Sequence, residues 1–241
     1  MLEHTVKSYE DELKLLDRKI AQMGGLAERQ LAESFDALER RDPRLAEQVI
    51  ASDVRIDALE REVQEQVIAI IARRQPIAID LRQIMAVLNI SGDLERVGDL
   101  AKNMAKRALA IAPESHPKPI ITGLNHMVEL ASHQLKDVLD AYATRNAERA
   151  VAVWHADSKL DNLYNSIFRE LLTYMMEDPR NIGLSTHLLF GAKNIERVGD
   201  HTTNIAETVH FLVTGQNLTD DRPKGDQTST TLISPDWDNK V

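Results

Sequence analysis

The sequence predicts an all-α chain made of two repeated antiparallel three-helix bundles, and three observations carry that prediction. Aromatic residues make up 4% of the 241 residues, and the abundance of Ala, Leu, Glu and Arg favours helix while leaving strands little to build with. Apolar residues recur at steps of three, four and seven, as in Leu45, Val49, Ile56, Leu59, Val63, Val67 and Ile70, which puts them on one helix face. The segment Leu94-Glu95-Arg96-Val97-Gly98-Asp99 returns 101 positions later as Ile195-Glu196-Arg197-Val198-Gly199-Asp200, the mark of an internal repeat.

A first helix is expected from about Val6 to Arg40, with Gly24-Gly25 as a weak point or bend. The second is bounded by Asp42 as cap with Pro43 at the first helical position, and by Pro76 after Arg73-Arg74-Gln75. The third runs from Ile77 to about Ile111. Three prolines within residues 113–119 cannot sit in a helix interior, so that stretch links the halves. The second half then repeats the plan, with helices at about Lys118 to Thr144, Ala147 to Glu177 and Arg180 to Thr214, the last two separated by Asp178-Pro179. The bundles are placed at 5–112 and 118–215. Residues 216–241 lose periodicity and turn polar, which reads as a disordered tail containing Trp237.

A second match supports the repeat. Asp53, Ile56, Asp57 and Leu59 align with Asp157, Leu160, Asp161 and Leu163 at an offset of 104, and Leu31, Leu38 and Val49 keep apolar counterparts in Leu135, Tyr142 and Val153. The offset changes once, at the turn before the third helix of each half, where loops tolerate length differences.

Composition narrows the function classes. A formal charge of −9 opposes a nucleic-acid partner, which would call for clustered Lys and Arg. The absence of cysteine removes disulfides, thiolate metal sites and cysteine nucleophiles. Met1-Leu2-Glu3-His4 does not read as the start of a signal peptide, and charges interrupt every apolar stretch before the roughly 20 residues a membrane helix needs. A soluble cytosolic protein is expected.

Four carboxylate pairs carry the chemistry. Glu95/Asp99 and Asp53/Asp57 are each spaced one helical turn apart, so each pair shares a face. From the turn near Gln75 the Asp53/Asp57 pair lies about 20 residues back and Glu95/Asp99 about 22 forward, so antiparallel packing sets them level. Asp157/Asp161 and Glu196/Asp200 repeat the count around Asp178-Pro179. Glu95 and Asp99 fall in phase with Leu81, Ile84 and Leu88, a face assigned to the interior. Carboxylates gathered there must be protonated, paired with basic residues such as Arg96 or Arg197, or neutralised by cations, and cations are the reading adopted. Hard oxygen donors without cysteine suit Mg²⁺, Mn²⁺, Ca²⁺ or iron. Asn103 and Asn204, one turn beyond, could add a carbonyl ligand or a hydrogen bond to a ligand. Gly98 and Gly199 mark close approach of a neighbouring helix, since a mid-helix glycine otherwise costs about 1 kcal/mol relative to alanine.

Little points to catalysis. His201 follows Asp200, but its counterpart Leu100 is apolar, so it is read as solvated surface. Glu207 and His210 form the one Glu-x-x-His motif, whereas di-iron bundles need two. Phosphate loops and nucleophile elbows are missing. The alternative is a di-metal carboxylate enzyme, a hydrolase or oxidase, which would require a pocket beside the acids.

These motifs, together with Gln75-Pro76-Ile77-Ala78-Ile79-Asp80-Leu81-Arg82, resemble the PhoU family of bacterial phosphate transport accessory proteins over about residues 5–214. The resemblance implies metal bound through the motif acids Glu95, Asp99, Glu196 and Asp200, with Asp53, Asp57, Asp157 and Asp161 facing them. It also implies homodimers and a negative regulator of phosphate uptake and of the phosphate-starvation response. The partners it implies are the ATPase of the phosphate ABC transporter and a phosphate-sensing histidine kinase, met by a cytoplasmic protein at the inner membrane. Asp80 and Arg82 are candidate partner contacts. The second half departs from the pattern, with Gly183 and Ser185 in the places of Asp80 and Arg82.

Overall fold

The computed structural model describes residues 2–219, with side chains from residue 9 onward. Helix α1 (Leu2–Arg40) is followed by α2 (Pro43–Ser52), α3 (Val54–Arg74) and α4 (Ala78–Ile111). The second half holds α5 (Lys118–Thr144), α6 (Ala147–Glu177), a 3-10 turn (Pro179–Asn181) and α7 (Ile182–Thr214). No strand occurs among the described residues. Of the stretch read as a disordered tail, residues 220–241, Trp237 included, lie outside the described residues.

Local chemistry sets the helix ends. Asp42 accepts hydrogen bonds from the Arg44 and Leu45 amides ahead of Pro43, and Asn146 does the same for Arg149 at the start of α6. Gln75 and Arg145 close α3 and α5 in the left-handed conformation, and Gly215 closes α7 at φ +74°.

Three readings change. The second expected helix is divided at Asp53, whose φ −58° and ψ −36° remain helical while the bonding passes to Ile56 N→Asp53 O at 2.9 Å. α1 continues unbroken through Gly24-Gly25, and a side chain at Gly24 would meet Leu139 of α5 at 2.6 Å, so this glycine serves packing between the halves. Leu81, assigned to the interior, is exposed, and the buried line of α4 is Ile84, Val87, Ile90, Leu94, Val97 and Ala101.

One hydrophobic core runs through both halves. α4 packs on α7, α1 on α4 and α5, and α6 on α7. Burying each large apolar side chain of this core contributes about 1.5–3 kcal/mol. A polar clasp also joins the halves: Tyr142 donates to Asp17, Arg145 bonds Asp17 at 3.1 Å, and the Arg145 guanidinium lies 4.4 Å over the Tyr142 ring.

The repeated glycines are both sites of close approach. A Cβ on Gly199 would lie 2.5 Å from Leu160 Cδ2, and one on Gly98 would lie 2.9 Å from Ile56 Cδ1. Gly92, on the same helix as Gly98, has nothing within 4 Å. Thermal melting should therefore separate them. Gly92→Ala gains up to about 1 kcal/mol of helix propensity, whereas Gly98→Ala and Gly199→Ala lose about 1–2 kcal/mol net to overpacking. A gain at Gly199 equal to that at Gly92 would refute the close-approach assignment.

Candidate functional site: two buried carboxylate clusters

The break at Asp53 and the absence of a side chain at Gly98 together let the Asp53 carboxylate turn into the core, where it is buried. Its Oδ1 lies 3.3 Å from where a Cβ on Gly98 would stand. Asp157 occupies the matching place, buried, with Oδ1 3.5 Å from the corresponding point on Gly199.

In the first half Lys102 Nζ donates to Asp53 Oδ2 and, at 2.5 Å, to Asp99 Oδ1. One ammonium thus ties α3 to α4 and holds the two acids level. Arg96 makes longer contacts to Glu95 at 3.4 Å and Asp99 at 3.5 Å, from an exposed position. Burial pushes the Asp53 carboxyl above its ordinary range, opposed by Lys102 and reinforced by the negative charges of Asp57 and Asp99. Glu95 is raised likewise, first by burial and then by Asp99, with smaller contributions from Glu60 and Asp57. Lys102 is held well above the usual lysine range by its two carboxylates, despite burial acting the other way.

In the second half Asp161 and Glu196 are buried with Asp157. Lys193 Nζ bonds Glu196 Oε1 at 2.8 Å. Burial pushes the Glu196 carboxyl up to about 7; Lys193 lowers it, while Asp200 and Asp161 raise it.

Each cluster keeps one unsatisfied buried carboxylate oxygen among the described residues, Asp53 Oδ1 and Glu196 Oε2. Such oxygens are costly unless a proton, a water or a cation meets them. Among the described residues, however, no three His, Cys, Asp or Glu side chains are gathered closely enough to hold a metal by themselves. The acids are brought together with lysines between them.

The remaining expected residues have other placements. Asn103 is exposed. Asn204 bonds Asp93 at 3.3 Å across the α4–α7 seam, and His201, expected on solvated surface, is half-buried with Nδ1 2.9 Å from the same Asp93 oxygen. Glu207 accepts from Trp154 Nε1 at 2.9 Å while His210 contacts Gln216 O at 3.0 Å, so the Glu-x-x-His motif is not a ligand pair. These seam residues line a groove of about 760 Å³ with Glu60 and Glu95, and of the eight candidate acids only Glu95 reaches it. Arg82 lies against the end of α7, where a side chain on Gly215 would meet its guanidinium, and Asp80 lies in the first turn of α4, near Tyr9. Sequence reading missed Lys102 and Lys193, although each stands three residues from a motif acid; Asp93 offered no local signal.

The fold and its two sites define a class: internally duplicated helical-bundle proteins with a buried carboxylate cluster in each repeat. The PhoU domain matches this chain twice, over residues 20–108 and 124–209. A "Phosphate-specific transport system accessory protein PhoU homolog" of Rhizobium meliloti (strain 1021) is 53% identical over 227 residues, covering 94% of this chain and 96% of that protein. The PhoU accessory protein of Edwardsiella tarda is 37% identical over 215 residues, covering 89% and 88%. The crystal structure of PhoU from Pseudomonas aeruginosa superposes with a TM-score of 0.83 at 38% identity, covering 86% of this chain and all of that one. The chain belongs to the PhoU family.

Because the Glu196 carboxyl is raised from 4.5 to about 7, the folded protein takes up this proton more readily than the unfolded chain. Its contribution is present in full below pH 4.5 and is lost as pH rises through 7, a fall of about 3 kcal/mol for an isolated site. Melting of chelator-treated protein should show this fall, and Glu196→Gln should flatten it. Parallel pH profiles for the two proteins would contradict the assignment.

Proposed function

We propose that this protein is a non-enzymatic negative regulator of phosphate uptake and of the phosphate-starvation response. It acts as a cation-binding adaptor between the ATPase of the phosphate ABC transporter and its sensor histidine kinase. The observation that carries the reading is the carboxylate cluster repeated in each half, each with buried acids and a lysine bonded to it, and with only Glu95 of the eight acids on the large groove, which suits a structural or regulatory ion better than a substrate. The names borne by its relatives supply the phosphate-transport setting. No described helix is long and apolar enough to cross a membrane, which fits a cytoplasmic protein that meets the inner membrane through partners.

Asp53, Asp57, Glu95 and Asp99 would hold the first ion set, and Asp157, Asp161, Glu196 and Asp200 the second, with iron, Mn²⁺, Mg²⁺ or Ca²⁺ as candidates. A bound cation supplies positive charge that lets the acids ionise inside the bundle. Asp53 and Glu196 each present an oxygen that no lysine satisfies, and Lys102 and Lys193 balance the charge that remains. The di-metal enzyme reading needs an open pocket shared by several acids; only Glu95 among the eight lines the seam groove.

The corner between α3 and α4 is the surface we assign to partners. Ile77 and Ile79 are 78% and 64% exposed beside Asp80 and Arg82, and Leu81 of the same turn is exposed as well. Homodimer formation would compete for such a surface.

In phosphate-replete cells, Glu95→Ala combined with Glu196→Ala should lower the cation content and relieve repression, read by a starvation-gene reporter and by partner pull-down. If that variant still captures both partners and represses, the acids are not the regulatory element. Separately, Ile77→Asp with Ile79→Asp should reduce ATPase or kinase capture at least tenfold while leaving the melting temperature unchanged, because both side chains already face water; undiminished capture would remove this corner from the partner surface.

A further inference from the structure

Helices α4 and α7 run antiparallel along their seam, since Arg82 lies at Gly215 while Asp93 meets His201 and Asn204. The groove of about 760 Å³ on one side of that seam is bordered by one row of residues from each helix. Met85, Leu88, Gly92 and Arg96 follow one another at steps of three and four on α4, as do His201, Asn204, Thr208 and Phe211 on α7. Each row is therefore a single helix face about 15 Å long. Two such faces side by side form a channel of the shape into which a third helix packs. Gly92 leaves its floor open, because a Cβ there would meet nothing within 4 Å.

The channel is graded along its length. The end at Met85 and Phe211 is apolar, and Met85 is exposed there. Toward Asp93 it turns acidic. Among the described residues the lining sets four carboxylates, Glu60, Asp93, Glu95 and Glu207, against the Arg96 guanidinium and the His201 imidazole, so it stays negative in either form of the histidine. Arg96 is already shared between Glu95 and Asp99, and Glu207 is met by the neutral Trp154 N–H, which leaves its charge uncancelled. The fold does not require this charge. On the other side of the seam, at the repeat offset of 101, Lys193 stands in the place of Gly92, Asn194 in that of Asp93 and Lys106 in that of Glu207. Arg107 lies over the Phe190 ring there.

We propose that this groove docks a basic amphipathic helix of a partner protein, about three turns long. The docked helix places an apolar side chain between Met85 and Phe211. One to two turns along the same face it sets lysine or arginine against Glu207 and Asp93. Apolar contact anchors it, and the graded charge fixes its direction and rejects acidic helices. This surface is separate from the α3–α4 corner, and the assignment does not depend on the cation reading.

The probe is a labelled synthetic helix with leucines in its first turn and lysines one and two turns along the same face, titrated with the full-length protein and read by fluorescence anisotropy. The parent should bind it at least about tenfold more tightly than a counterpart carrying glutamates in place of the lysines. Gly92→Phe, which fills the open floor, should weaken binding about tenfold with the melting temperature unchanged. Glu207→Gln, which keeps an acceptor for Trp154, should weaken it about threefold or more, while Glu47→Gln, the same charge change on an exposed face of α2, stays within about twofold of the parent. No binding of the lysine probe, equal binding of the two probes, undiminished binding by Gly92→Phe, or equal losses in Glu207→Gln and Glu47→Gln would each overturn the assignment. Displacement of the probe by a peptide of residues 220–241 would give the groove to the chain's own tail. A lower sedimentation mass of Gly92→Phe would give it to a second copy, and either result overturns the partner helix.

Discussion

The close helix crossing at Gly98 and Gly199 is the constraint on which the rest depends. Without a Cβ at these two positions, Ile56 and Leu160 seat against α4 and α7, and Asp53 and Asp157 are drawn in beside them. A Cβ at either position would have to displace the terminal methyl of Ile56 or Leu160 and would crowd the carboxylate beside it. Once the acids are inside, electrostatics dictates the surroundings: burial raises Asp53 and Glu196, and Lys102 and Lys193 are needed to keep the clusters from repelling themselves apart. A packing device thus becomes an electrostatic one.

The two halves share this device without being copies. Lys102 bridges Asp53 and Asp99, and Lys193 bonds Glu196, three residues along its own helix. The unsatisfied oxygen lies on α2–α3's boundary in the first half and on α7 in the second. The α4–α7 seam is asymmetric as well. On one side Asp93, His201 and Asn204 border an open groove. At the related place, Arg107 lies 4.3 Å over the Phe190 ring, with Asn194 where the first half has Asp93. Duplication gave the protein two carboxylate clusters, and divergence left their surroundings different.

Much of the fold was legible because its signals are local. Proline and cap residues set the ends of α5 and α6, and the repeated motif paired α4 with α7 as equivalent helices. The division at Asp53 was hidden, since neither glycine nor proline marks it and the dihedral angles stay helical. Exposure of Leu81 at the corner was equally hidden, because helical phase predicts a face but not where the neighbouring helices end. At the site, the acids were readable from spacing, as were, in principle, Lys102 and Lys193. The His201–Asp93 contact joins residues 108 apart; only tertiary packing creates it.

The central claim is that the repeated acids form two cation sites rather than two internal salt-bridge clusters. Anomalous diffraction from crystals of this protein grown with Mn²⁺ tests it most directly. The account predicts manganese peaks within coordination distance of Asp53 Oδ1 and of Glu196 Oε2. Well-ordered acids contacted by Lys102 and Lys193, with no anomalous density at either cluster, would contradict it.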